Sequence, residues 1–180
     1  ASTHFALFRV GRLDVSARGA FWYLSPDHIE ILEREMGDEF KYYQFPSFNW
    51  TVYFNPTIEA IQDVRVRKAI QLWLNRKDAQ AVIDNGLAIT SGFFVPSSPH
   101  SVIDWATEPG WNQTTKDADQ ETAKQLMVDA GYADGFDFTL LARDLWVVPG
   151  EFVVSTLTGL NINGVLDVVD QPTRVERLTQ

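Results

Sequence analysis

The chain has 180 residues, 45% of them apolar and 22% charged, which fits a globular domain with a sizeable core and excludes a disordered segment. Its formal net charge of -9 argues against a nucleic-acid partner and against anionic membrane surfaces, since phosphate binding needs clustered Lys and Arg. There is no cysteine, so disulfides, thiolate metal sites and cysteine nucleophiles are excluded.

In chain order, Thr3 to Val10 reads as a short helix, followed at Gly11 by a strand over Leu13 to Ser16. Ser25 and Pro26 open the next helix, because Ser is an N-cap type and Pro fits the first helical position. Ile29, Leu32 and Met36 share one face of it, and Gly37 ends it. Lys41 to Phe45 and Thr51 to Phe54 are rich in aromatic and β-branched residues and read as strands. The second of these ends in a polar turn at Asn55.

Asp63 then caps a helix whose apolar stripe is Val66, Ala69, Ile70, Trp73 and Leu74. Arg65 and Arg67 sit in its first turn, where ion pairing or a surface position is their ordinary role rather than ligand contact. A short helix follows from Asp78 to Asp84, closed by Asn85 and Gly86. Ala88 to Pro99 is a proline-containing loop, and Ser101 to Lys116 continues as irregular chain with Trp105 and Trp111. Structureless stretches of such length in a compact domain are often functional.

Asp119 to Ala130 is the clearest helix, capped by Asp119, striped by Ala123, Leu126, Met127 and Ala130, and closed by Gly131. Phe136 to Ala142 reads as a strand, Glu151 to Leu160 as a helix and Val165 to Val169 as a final strand. The alternation predicts an α/β lobe with a mixed sheet, with hairpin-like neighbours in its first half.

Several of these segments carry a resemblance. Tyr53-Phe54-Asn55 followed by Asp63-Val64-Arg65-Val66-Arg67-Lys68-Ala69-Ile70 resembles a hallmark of the family 5 extracellular solute-binding proteins of ABC importers. The run from Asp119 to Tyr132, then Gly135-Phe136, is similar to that family's D-x-x-x-A-K-x-L-L-x-x-A-G-Y and its following GF turn. Weaker likenesses are Gly11 to Val15, Gly86-x-Ala88 leading to Pro96, and Leu160-Asn161-Ile162. Departures are Asn75-Arg76 for the family's Asp-Arg, Met127 for a leucine, and Asn161 where Gly is common.

The resemblance runs from about Gly11 to the end and implies a lobe of a type II periplasmic-binding-protein fold. It implies residues 1–180 as a single lobe, most of the second lobe of a two-lobe clamp. Family members are longer and carry an export signal; this chain begins at Ala1 and ends within a helical pattern at Arg174 to Gln180, so it reads as a fragment truncated at both ends. The resemblance further implies a small-molecule or peptide ligand, ABC permease subunits as partners together with the missing first lobe, and a periplasmic or extracellular location associated with the membrane through the transporter. It implies no catalysis and no cofactor. Peptide, nickel complex, opine and sugar all remain open as ligands. An acidic hydrolase domain and the ligand-sensing lobe of a transcription regulator are the alternatives.

The residues themselves nominate little catalysis or metal binding. His4, His28 and His100 lack the spacing of a helical zinc site. Ser97, Ser98, His100 and Asp104 contain triad residue types but no Gly-x-Ser-x-Gly elbow. The acids nominate no facing pair of the kind a glycosidase needs. No stretch is an uninterrupted apolar span: Phe152 to Val169 is broken by Gly159, Asn161, Asn163, Gly164 and Asp167. Aromatics are the more informative group. Trp50, Phe93, Phe94 and Trp146 sit in or beside loops, so they are candidates for the apolar wall of a ligand cleft, with core packing as the alternative. Arg143 follows the Phe136 strand, where the resemblance implies a basic group for a ligand carboxylate; a plain surface position is its alternative.

Overall fold

The computed structural model describes residues 2–14, 26–42, 51–83, 98–100 and 103–178. The chain divides into two compact units, Ala1–Phe45 and Pro46–Gln180.

In the first unit, helix α1 spans Ser2–Arg9 and α2 spans Pro26–Met36, followed by a 3-10 turn at Gly37–Glu39. Leu32 and Phe40 are buried. Phe5 stacks on His28 at 4.1 Å between ring centroids, and Phe8 meets Phe40 edge-on at 6.1 Å. Arg9 pairs with Glu35 at 2.5 Å across the two helices. Leu13 and Asp14 are not in a strand, and the rest of that predicted strand lies outside the described residues.

The second unit is built on α3 (Glu59–Gln62), α4 (Val64–Trp73), α5 (Arg76–Ile83), α6 (Lys116–Asp129), α7 (Val147–Leu157) and α8 (Gln171–Leu178). Its strands β1 (Asp137–Arg143) and β2 (Asn163–Val169) pair in parallel, from Asp137 beside Asn163 to Arg143 beside Val169. Parallel neighbours need a crossover, and α7 supplies it. Pro149 falls in the first turn of α7, where a missing N–H costs nothing. One face of the pair, with Phe138, Leu140, Gly164 and Leu166, meets α7: a Cβ at Gly150 would strike Leu166, and one at Gly164 would strike Phe138 and Val154.

The core of this unit lies between α4 and α6. Val66, Ala69, Ile70 and Leu72 of α4 meet Ala123 and Met127 of α6 together with Leu157, Leu160 and Ile162. The α4 stripe therefore turns inward through Leu72. Trp73 is only part-buried, donating from Nε1 to the Thr156 carbonyl at 2.7 Å, and Leu74 is the C-cap. Asp63 caps α4 as its sequence position predicts, accepting from the Arg65 amide at 2.8 Å. Gly131 closes α6 with φ +85°. Asn161 takes φ 59°, a left-handed conformation that Asn tolerates, and its Nδ2 donates to the Ala133 carbonyl at 2.9 Å. That explains how Asn replaces Gly there.

Two further sequence expectations need correction. Thr51–Phe54 is irregular, and Tyr53 is 84% exposed. Aromatic and β-branched content favours a pleated surface only where a neighbouring strand pairs with it, and among the described residues the sheet is β1 with β2 alone. The polar turn at Asn55 does form, with Oδ1 accepting from the Thr57 amide at 2.9 Å. Asp119 does not cap α6, which begins at Lys116. Its carboxylate instead accepts from the Gly110 amide at 2.7 Å and from Thr115 Oγ1 at 3.2 Å, tying the preceding turn to the helix.

Those contacts belong to a polar knot around the C-terminal end of α4. The last carbonyls of a helix have no partner within it. Here Arg76 Nη1 donates to Gln71 at 3.1 Å, Lys116 Nζ to Leu72 at 2.7 Å, and Gln120 Nε2 to Trp73 at 3.3 Å. Both cations also reach the carbonyls of Leu74 and Gly110. Arg76 lies 3.7 Å from the Trp111 ring centroid, a cation–π contact that anchors the Glu108–Asn112 turn. Two positive charges at the negative end of the helix dipole are favourable. Burial nevertheless pushes the Lys116 amine down to about 8, with the Arg76 charge adding to the effect, and burial lowers Arg76 to about 10.

Candidate functional site at the strand ends

Both strands of the parallel pair finish at the same level, Arg143 beside Val169. Ligand sites of open α/β sheets lie outside the carboxyl ends of the strands. A 3-10 turn, Asp144–Trp146, follows β1 at that edge, and α8 starts just after β2. Trp146 is half-buried and takes a guanidinium from each element: Arg143 Cζ lies 5.5 Å from its ring centroid and Arg174 Cζ lies 4.8 Å. The Arg143 side chain is 16% exposed, with Asp144 at 3.9 Å. Asp170 is turned to the start of α8, where hydrogen bonds from Thr173 hold its carboxyl below the usual carboxylate range. Arg177 forms an ion pair with Asp167.

Arg143 and Trp146 are thus placed together, as neighbours on one edge. Trp50, Phe93 and Phe94 lie outside the described residues. Arg174 escaped the sequence reading. Its signal was present in the order of elements, because a parallel partner strand followed at once by a helix sets the first helical turn beside the end of β1.

Other candidates take structural roles. Arg65 pairs with Asp63 at 2.6 Å and donates to the Asp129 carbonyl at 2.6 Å, so it joins α4 to α6. Arg67 donates to the carbonyls of Ile61 and Gln62 at 2.6 and 2.9 Å, closing α3. Ser98 Oγ accepts from the His100 amide at 3.2 Å, and Asp104 Oδ1 from the Ala106 amide at 3.1 Å, both local turn contacts. Ser97 lies outside the described residues. Among the described residues no cluster of three or more His, Asp or Glu is placed to hold a metal ion, and no helix is long and apolar enough to cross a membrane. Two surface grooves among the described residues lie elsewhere. One of about 410 Å³ runs along α4, from Val64 to Leu72, opposite Glu108 and Pro109. The other, of about 390 Å³, crosses the amino ends of the strands at Asp137–Thr139 and Asn163–Val165.

A strand–helix–strand unit with parallel strands, backed by a helical core, is the architecture of a lobe of the periplasmic-binding-protein fold. Residues 2–169 match the model of the bacterial extracellular solute-binding proteins, family 5 Middle, and the chain belongs to that family. Among solved structures it is similar to the ABC transporter-associated periplasmic binding protein DppA from Helicobacter pylori in complex with peptide STSA, with 24% identity and a TM-score of 0.57. That match covers 68% of this chain and 23% of the other, so the chain spans under a quarter of the structure it resembles. No curated protein matches the chain. The family and this neighbour are binding proteins, with extracellular or periplasmic work in their descriptions.

Proposed function

We propose that the chain is a single lobe, most of the second, of the substrate-binding component of an ABC importer. That component captures a peptide or similar small solute between two lobes and delivers it to membrane permease subunits. The observation that carries this reading is the family match over residues 2–169. The fold supports it, since lobes of this kind close on a ligand by a hinge and bury it between them. The protein works outside the cytoplasmic membrane and meets that membrane through its permease. No step of this cycle breaks or makes a covalent bond in the solute.

On this reading, Arg143 and Trp146 belong to the ligand cleft, together with Trp50, Phe93 and Phe94. An indole gives an apolar wall, and a guanidinium beside it orients a carboxylate by a charge-assisted hydrogen bond. The test is an NMR titration of this chain with the peptide STSA. Saturable shifts of the Arg143 and Trp146 side-chain signals support the reading. Shifts confined to other parts of the surface, or none at millimolar peptide, count against it.

A further inference from the structure

Asn112, Gln113 and Thr114 lie just before α6 and spell Asn-x-Thr with a middle residue other than proline, the acceptor pattern of N-linked glycosylation. Three residues are a weak signal by themselves, and the geometry of the turn adds to it. Asn112 Oδ1 accepts from the Thr114 amide at 2.9 Å and from Thr114 Oγ1 at 2.7 Å. A backbone N–H can only donate, so it fixes which end of the carboxamide is oxygen and turns Nδ2 to the other side. Nδ2 donates to no protein group among the described residues and is not buried, so solvent reaches it. The two bonds on Oδ1 polarise the amide and ease the loss of an Nδ2 proton.

The turn also has a fixed support. The Asn112 amide donates to the Glu108 carbonyl at 2.9 Å, the Gly110 amide to Asp119 at 2.7 Å, and the Trp111 ring lies 3.7 Å from the Arg76 guanidinium. Gln113, Thr114 and Thr115 are exposed beyond it. Asn55-Pro56-Thr57 forms the same turn, at 2.9 and 2.8 Å, but Pro56 puts it outside the acceptor pattern. The pattern recurs at Asn49-Trp50-Thr51, where Asn49 lies outside the described residues.

Resting on the extracellular setting of the family, we propose that Asn112 is a glycan acceptor, modified by a saccharide carried on a polyprenyl pyrophosphate. Nδ2 bonds to the anomeric carbon of the sugar, and the bond from that carbon to the pyrophosphate oxygen breaks. Polyprenyl pyrophosphate leaves, and the Nδ2 proton passes to a carboxylate of the transferase. The exchange needs no oxidant or reductant.

The test incubates the folded chain with a transferase of Asn-x-Thr specificity and a polyprenyl-pyrophosphate-linked oligosaccharide, with the free peptide Gly110–Lys116 alongside. Peptide mapping by mass spectrometry reads which residue carries the sugar. The sugar is expected on Asn112 and not on Asn55. Asn112→Gln and Thr114→Val are expected to abolish it at this position, while Thr114→Ser, which keeps the hydroxyl, retains it. Modification of the free peptide but not of the folded chain overturns the proposal, because the turn then hides the amide. Modification of neither, or modification of Asn112 that survives Thr114→Val, also overturns it. None of these results touches the solute-binding reading, which the STSA titration tests separately.

Discussion

Lys116 donates from Nζ to the carbonyl of Leu72 at 2.7 Å, across 44 residues of sequence. This bond closes a helix end with a cation from the first turn of another helix, so α4 and α6 are coupled by charge as well as by their apolar faces. Lys116→Met removes the donor and strands the buried Leu72 carbonyl. The expected loss is about 1–3 kcal/mol of unfolding free energy, measured by urea denaturation. An unchanged midpoint would show that water or Arg76 replaces the amine.

The pH behaviour of the same residue has a defined sign. Its pKa is about 8 in the folded chain against 10.5 for the free side chain. Between those values the unfolded chain binds more protons, so stability rises with pH in this window. Unfolding curves at pH 8 and pH 10 are expected to show the unaltered chain gaining relative to Lys116→Met. A relative loss over that interval would mean that the carbonyls hold the ammonium more strongly than burial disfavours it.

Gly110 sits at the centre of the knot with φ +81°, and a Cβ there would lie 2.7 Å from the Gln71 carbonyl oxygen. Gly110→Ala therefore meets both backbone strain and a backbone clash. Destabilisation of about 2 kcal/mol or more is expected by thermal or chemical denaturation. Wild-type stability in this variant would place the turn elsewhere.

Asp63 is held down at about 2 by the side-chain and amide hydrogen bonds from Arg65. Its folded value lies below the unfolded 3.8, so its contribution is complete above pH 4 and is lost as pH falls towards 2. Asp63→Asn should lower the melting temperature at pH 7, and the gap to the unaltered chain should close in acid. A gap of constant size from pH 7 to pH 2 would remove the ion pair from the account.

Much of this was legible in the sequence where local chemistry decides the outcome. The Asp63 cap, the burial of Val66, Ala69 and Ile70, the closure at Gly131 and the strand–helix–strand order from Phe136 to Val169 follow from capping, period and turn rules, whereas the parallel pairing of the two strands is seen only in the structure. Less legible was whatever depends on a distant partner. Thr51–Phe54 has strand composition and is not a strand, because composition does not supply a neighbour. Asp119 has the chemistry of a cap but is drawn to the Gly110 amide, so the helix starts three residues earlier. Leu72 is buried in the core although it lies off the predicted stripe, while Trp73 and Leu74 of that stripe pack against the core part-buried, at the point where α4 ends. In the site, Arg143 and Trp146 lie three residues apart in sequence and were nominated together. Arg174 reaches them only through the register of the sheet.

A lobe that supplies part of a two-lobe cleft should bind weakly alone. Losing about 4 kcal/mol of contacts weakens binding roughly a thousandfold. Calorimetry of this chain with the peptide STSA is therefore expected to give a dissociation constant in the high micromolar to millimolar range. Submicromolar affinity would mean that the site is complete within these residues.

The central claim is that solute is held at the carboxyl ends of β1 and β2. Photo-crosslinking tests it most directly, using STSA with a benzophenone amino acid at its last position and mass spectrometry to map the adducts. The account predicts labelling within residues 141–148 and 169–175 that excess unlabelled STSA suppresses. Suppressible adducts confined to the groove between α4 and Glu108–Pro109, with none at the strand ends, would contradict it.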